Sequence, residues 1–112
     1  MKLIVAVVKP FRLADTVGAA MEAGASGATV SEARGFGRQG GHSETYRGSE
    51  YRIELVPKSY LELLVDDDKV ATVAAAVVAA ARTGKIGDGK VWVRDVEDVR
   101  RIRTGESGAD AV

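Results

Sequence analysis

Hydrophobic positions recur along the chain in two different periods. Residues 2–9 are aliphatic on both alternating faces, with Leu3, Val5 and Val7 on one and Ile4, Ala6 and Val8 on the other. A strand that is apolar on both sides needs cover on both sides. From Pro10 to about Ala23 the period lengthens, and Leu13, Val17, Ala20 and Met21 share one helical face. Gly24 is placed to stop that helix. Residues 26–36 read as a second strand and the apolar run Tyr60–Val65 as a third. Asp66, Asp67 and Asp68 then offer capping oxygens and charge that suits a helix start. Val70, Val73, Ala74, Val77, Val78 and Ala81 keep the i, i+3, i+4 spacing of one buried helix face. Gly84 reads as its stop and residues 90–94 as the last main strand. The small, polar tail from Gly105 is expected to fray.

The order β-α-β-β-α-β predicts two right-handed βαβ units interleaved into a four-stranded antiparallel sheet, with both helices on one face. This is a ferredoxin-like α+β fold, and 112 residues suit a single domain over 1–112. The second sheet face is apolar with no helix left to cover it, which predicts a homo-oligomer. Between about 37 and 55 the chain carries four glycines, many charges and no core-like run. A loop of that length in a small domain is expected to be functional or mobile.

Composition narrows the classes. Apolar residues make up 46% of the chain and charged residues 29%, as in folded globular proteins. Sixteen Lys and Arg balance sixteen Asp and Glu. That balance argues against broad nucleic-acid binding but leaves room for a local basic pocket. Cysteine is absent, which excludes disulfides, thiolate metal sites and a cysteine nucleophile. The apolar run Leu3–Val8 is too short for a signal peptide or a membrane span, so a cytoplasmic protein is expected.

"TGKIGDGK", residues 83–90, fits most of a phosphate-binding P-loop but ends on Val91, where a magnesium-binding hydroxyl would stand. Its context is reversed as well, since it follows a helix and enters a strand. Gly87-Asp88-Gly89 can still expose backbone N–H groups to an anion, with Lys90 beside them as a point charge. The alternative is an ordinary helix-to-strand turn. In "RRIRTG", Arg101 and Arg103 fall on the same side if the segment is extended. Neither has an obvious acidic partner four residues on. With Arg38 and Lys90 they make a set able to offset a triphosphate through charge-assisted hydrogen bonds.

The segments "KPFRL" (9–13), "GFGRQ" (35–39), "YRGSEY" (46–51), "TGKIGDGKV" (83–91) and "RIRTGE" (101–106) stand in an order and at separations that closely resemble the PII-type nitrogen-regulatory signal proteins. The resemblance covers nearly the whole chain. It implies a homotrimer with three intersubunit clefts for which ATP and ADP compete. The matching positions are Gly37, Arg38 and Gln39 at the loop base, Gly87, Asp88, Gly89 and Lys90 in the phosphate turn, and Arg101 and Arg103. Thr29, Glu62 and Leu64 would lie along the base and ribose. The family also binds 2-oxoglutarate beside Mg-ATP, which implies Gln39 as a magnesium ligand and Gln39, Gly41, Lys58 and Gly87 around the oxo-acid. From its own surroundings alone Lys58 reads as a surface charge after Pro57.

The long loop would carry the output, to an ammonium transporter or to enzymes and regulators of nitrogen metabolism, with reversible recruitment to the membrane. Tyr51 corresponds to the site at which a nucleotidyltransferase attaches UMP or AMP; Tyr46 competes, while Tyr60 sits within a strand. Gly40 departs from the lysine carried by many relatives, and this removes a cation near the oxo-acid. His42 is a lone loop histidine with no triad or metal set to join.

Two other function classes compete for this sequence. A small ATP-hydrolysing enzyme would use the same basic cleft, yet the sequence has no clear general base paired with a nucleophile. An RNA-binding module on this fold would stack bases on strand aromatics. Here only Trp92, Tyr60 and Phe36 are candidates, and they form no evident platform.

Overall fold

The structure is a computed structural model that describes residues 1–37 and 54–112. Four strands form one sheet: β1 (Lys2–Val8), β2 (Thr29–Gly35), β3 (Val56–Val65) and β4 (Gly89–Asp95). Their spatial order is β2-β3-β1-β4, and every neighbouring pair is antiparallel. Helices α1 (Leu13–Glu22) and α2 (Val70–Ala81) cover one face. This is the ferredoxin-like arrangement that the element order predicts.

The alternation of β1 explains the core. Ile4, Ala6 and Val8 turn toward the helices and are buried against Leu61, Leu63 and Val65 of β3 and Val73 and Val77 of α2. Burying each large aliphatic side chain of this kind contributes about 1.5–3 kcal/mol. The register Val5↔Glu62 and Val5↔Trp92 sets the opposite face, where Leu3, Val7, Tyr60, Leu64 and Trp92 stand without helical cover. Trp92 is 41% exposed and Leu64 is 37% exposed. An apolar sheet face left this open is a surface for association.

Several boundaries differ from those read in the sequence. β3 begins at Val56, ahead of the apolar run, because Pro57 and Lys58 pair with Arg34 and Ala33 of β2. β1 stops opposite Ser59, so Pro57 lies where β3 has only one neighbour, and its missing N–H costs little there. β2 is shorter than expected, and Ser26–Ala28 and Phe36 lie outside it. Each helix opens with a 3-10 turn, Pro10–Arg12 and Asp67–Lys69. The expected side-chain cap at Asp66 does not form, and Asp67 instead pairs with the N-terminal amine at 2.6 Å. Met21, predicted on the buried face of α1, is 54% exposed.

Gly24 does end α1: with φ 119 it takes the positive-φ position just past the helix. Gly84 is not the stop of α2. That helix ends at Ala81, and Arg82 is already extended. The tail is ordered rather than frayed, with an isolated bridge between Arg100 and Ser107 and a 3-10 turn at Gly108–Ala111. Among the described residues no helix is long and apolar enough to cross a membrane.

Candidate functional site

The segment between α2 and β4 is built around Asp88. Its carboxylate accepts hydrogen bonds from the backbone N–H of Thr83 at 2.8 Å and of Gly84 at 2.9 Å, and from the Thr83 hydroxyl. The Lys9 ammonium stands 3.3 Å from the same carboxylate and donates to the Thr83 hydroxyl oxygen at 3.2 Å. The Thr83 hydroxyl, the two backbone amides and Lys9 hold the Asp88 carboxyl well below the usual carboxylate range, against the effect of its partial burial. Gly87 and Gly89 flank Asp88 with φ 97 and 100, a conformation that side chains rarely adopt. At Gly89 a Cβ would stand 1.7 Å from the Val7 carbonyl oxygen, so the turn presses directly on β1.

This turn forms one wall of a cleft of about 690 Å³. The end of β2 supplies Gly35 and Gly37, β3 supplies Lys58, and β4 supplies Lys90 and Trp92. Lys58 donates to the Gly87 carbonyl oxygen at 2.6 Å, which joins β3 to the turn. Lys85 and Lys90 line the same cleft and have no carboxylate partner among the described residues. The only acidic side chain along the described wall is Asp88, and it is fully engaged. Glycine backbone along the wall, with ammonium groups that have no carboxylate partner among the described residues, suits an anion that carries several charges.

Of the predicted site residues, Gly37, Lys58, Gly87, Asp88, Gly89 and Lys90 therefore gather at one end of the sheet. Thr29, Glu62 and Leu64 gather at the other end. Thr29 faces Glu62 across β2 and β3, and Leu64 faces Leu3 across β3 and β1. Lys90 pairs with Val7 on β1, whereas Glu62 pairs with Val5 and Leu64 with Leu3, so the second group lies two to four residues of β1 away, roughly 7–13 Å along the strand. The second group lines a separate cleft of about 300 Å³, whose far wall is Ala111 and Val112 of the ordered tail. Tyr60 donates to the Glu62 carboxylate at 3.2 Å, and burial followed by that carboxylate pushes its phenol upward.

Arg101 and Arg103 line neither cleft. The segment is not extended as supposed but turns, with the Gly105 N–H bonded to the Arg101 carbonyl at 2.8 Å. Arg101 does have an acidic partner, five residues on: its guanidinium meets Glu106 at 3.0 Å. Arg103 is exposed and has no carboxylate partner among the described residues. Arg38, Gln39, Gly40, Gly41, His42, Tyr46 and Tyr51 lie outside the described residues. Among the described residues no group of three or more His, Cys, Asp or Glu is arranged to hold a metal ion. Sequence reading missed Lys9 and Thr83, because nothing local ties a lysine to a threonine 74 positions away.

The family model described as "Nitrogen regulatory protein P-II" matches residues 1–106. A nitrogen regulatory protein P-II of Mesorhizobium japonicum is 53% identical over 112 residues, the full length of both chains. One of Nostoc punctiforme is 52% identical over the same full length. Among solved structures, Arabidopsis thaliana PII bound to citrate matches with a TM-score of 0.81 at 37% identity, covering 99% of this chain and 91% of that one. Motif order, sheet topology and these similarities agree from one end of the sheet to the other: the chain belongs to the P-II family of nitrogen regulatory proteins.

Proposed function

We propose that the protein is a non-enzymatic regulator, a homotrimer whose intersubunit clefts take ATP or ADP in competition and 2-oxoglutarate together with Mg-ATP. The observation that carries this reading is the separation of two unlike half-sites at opposite ends of one sheet. The two groups line separate clefts of one chain, which suits a nucleotide site completed by the phosphate end of one protomer and the base end of another. Contact between two different surfaces is heterologous, and such contacts close into rings. Arg101 and Arg103 line neither cleft of their own chain and reach a neighbour's phosphates instead, Arg101 by exchanging its Glu106 partner for phosphate.

Gly87, Gly89 and Lys90 receive the phosphates, and Thr29, Glu62 and Leu64 receive the adenosine. Lys58 pairs with a carboxylate of the oxo-acid. The donor set fits a polyphosphate: lysine ammonium groups and bare amides, with the one nearby carboxylate turned away. When bound, magnesium offsets phosphate charge, and Gln39 would hold it. That turned-away carboxylate also favours the regulator over an ATP-hydrolysing enzyme, since Asp88 has no free oxygen with which to take a proton from water.

The loop of about 37–55 carries the response. Occupancy of the cleft by ADP or by Mg-ATP with 2-oxoglutarate selects its conformation, and it docks on an ammonium transporter or on enzymes of nitrogen metabolism. A nucleotidyl group on Tyr51 adds bulk and charge that oppose docking.

Calorimetric titration with Mg-ATP, with and without 2-oxoglutarate, tests the ligands. Sedimentation velocity tests the ring, with a mass three times that of one chain expected. A monomer that binds neither nucleotide would contradict the reading.

A further inference from the structure

We propose that the Asp88 carboxylate and the Lys9 ammonium form an inward-facing anchor that positions the amides of the phosphate turn, and that neither side chain touches the nucleotide. The inference rests on the cleft reading above and adds two positioning residues to it.

The argument begins with saturation. A carboxylate offers about four acceptor sites. At Asp88 these meet the Thr83 N–H, the Thr83 hydroxyl, the Gly84 N–H and the Lys9 ammonium. No oxygen is left for a ribose hydroxyl or a hydrated cation. The side chains of Asp88 and Lys9 are 24% and 19% exposed, so the pair is sheltered beneath the turn rather than spread on its surface.

Direction follows from the flanking residues. Gly87 and Gly89 hold positive φ on either side of Asp88. Drawing the Asp88 side chain down toward Lys9 and Thr83 fixes this glycine-dependent stretch from below. The backbone on the other side is left to face the cleft, whose wall includes Gly87, Asp88, Gly89 and Lys90. Lys9 has a second effect. A bare carboxylate under the turn would weaken the field of Lys58, Lys85 and Lys90 on a bound anion, and an ammonium at 3.3 Å offsets it. The anchor also joins the turn to the end of β1, because Lys9 follows Val8 directly and Gly89 presses on the Val7 carbonyl.

The test compares wild type, Asp88→Asn, Asp88→Ala and Lys9→Met by calorimetry with ATP and ADP, and by amide hydrogen exchange without ligand. Positioning predicts that Asp88→Ala loses about ten- to a hundredfold in affinity for both nucleotides, by analogy with the loss when the hydrogen-bond partner behind a metal ligand is removed. Asp88→Asn, which keeps one acceptor oxygen, falls between, and Lys9→Met moves the same way by less. Exchange should quicken at the Thr83 and Gly84 amides of Asp88→Ala while α1, α2 and the strands keep their protection.

Tighter ATP binding after removal of the charge would mean that Asp88 faces the phosphates, and would overturn the proposal. Unchanged affinity, or exchange raised evenly over the whole fold, would overturn it too. A wild-type protein that binds neither nucleotide is distinguishable from all of these, and would remove the cleft reading and this inference together.

Discussion

Lys58 on β3 donates from its ammonium to the Gly87 carbonyl oxygen at 2.6 Å, so a cation of the cleft is already engaged by the turn on the far side of β1. Any acidic ligand that recruits Lys58 must compete with that carbonyl. The two contacts differ in kind, because a carboxylate carries full charge and a peptide oxygen only a partial one, and charge-assisted bonds are roughly twice as strong. Lys58→Met should therefore weaken 2-oxoglutarate binding in the presence of Mg-ATP by about 1.5–3 kcal/mol, the usual worth of a hydrogen bond to a charged group. ADP affinity should change far less. Calorimetry with both ligands decides it, and equal losses would assign Lys58 to the turn alone.

Gly89 and Gly84 both hold positive φ, but their surroundings differ. A Cβ at Gly84 meets nothing within 4 Å, whereas at Gly89 it collides with the Val7 carbonyl. Gly84→Ala should cost only the conformational penalty of a left-handed residue, about 1–2 kcal/mol. Gly89→Ala adds displacement of β4 from β1 and should lower the melting temperature several times as much. Thermal denaturation of the two variants checks this ranking, and equal shifts would mean that the turn yields without disturbing the sheet.

Much of this fold was legible because its period changes are clean. β1 is apolar on both faces, and α2 keeps its spacing from Val70 to Ala81. The start of β3 was hidden because Pro57, Lys58 and Ser59 are not strand-like residues; only pairing with β2 makes them one. The cleft was legible in part. Its glycines and Lys90 lie in one short segment, where local chemistry speaks for itself. Lys9, Thr83 and Asp88 meet only when β1 and the turn are brought together, and no spacing rule reports a contact of that range. The pairing of Arg101 is hidden in the sequence for a different reason. Its partner Glu106 lies near in sequence, but the pairing needs a turn at Gly105 rather than an extended segment.

Arg103 is exposed and Arg101 is held by Glu106, so the two arginines should behave differently when replaced. Arg103→Ala removes a cation that makes no side-chain hydrogen bond or ion pair among the described residues. ATP and ADP affinities should fall together by about tenfold, with the fold's stability unchanged. Arg101→Ala should cause a similar loss in affinity but also leave Glu106 without its cation, loosening the turn that ends at Ser107. Affinity measurements beside thermal melts separate the two effects. Undiminished binding of both nucleotides by Arg103→Ala would remove the tail from the cleft.

Among the described residues three carboxylates titrate below their ordinary value of 3.8: Asp67 beside the N-terminal amine, Asp95 beside Lys2, and Asp88 beneath the turn. A folded-state value below the unfolded one means that the folded state binds protons less readily. The stabilisation is therefore present above the unfolded value and is lost as pH falls through the folded one. Melting temperature should decline as the solution is acidified below about pH 4. The three sites differ in how they respond to salt. Asp67 and Asp95 rely on exposed ion pairs, which salt screens. At Asp88 the Thr83 hydroxyl and two backbone amides do most of the work, and those bonds persist at high ionic strength. In concentrated salt the remaining acid sensitivity should belong mainly to Asp88, and Asp88→Asn should flatten it. Melts over a range of pH at low and high salt measure the difference; an Asp88→Asn profile that parallels wild type at high salt would place the acid-sensitive bonds elsewhere.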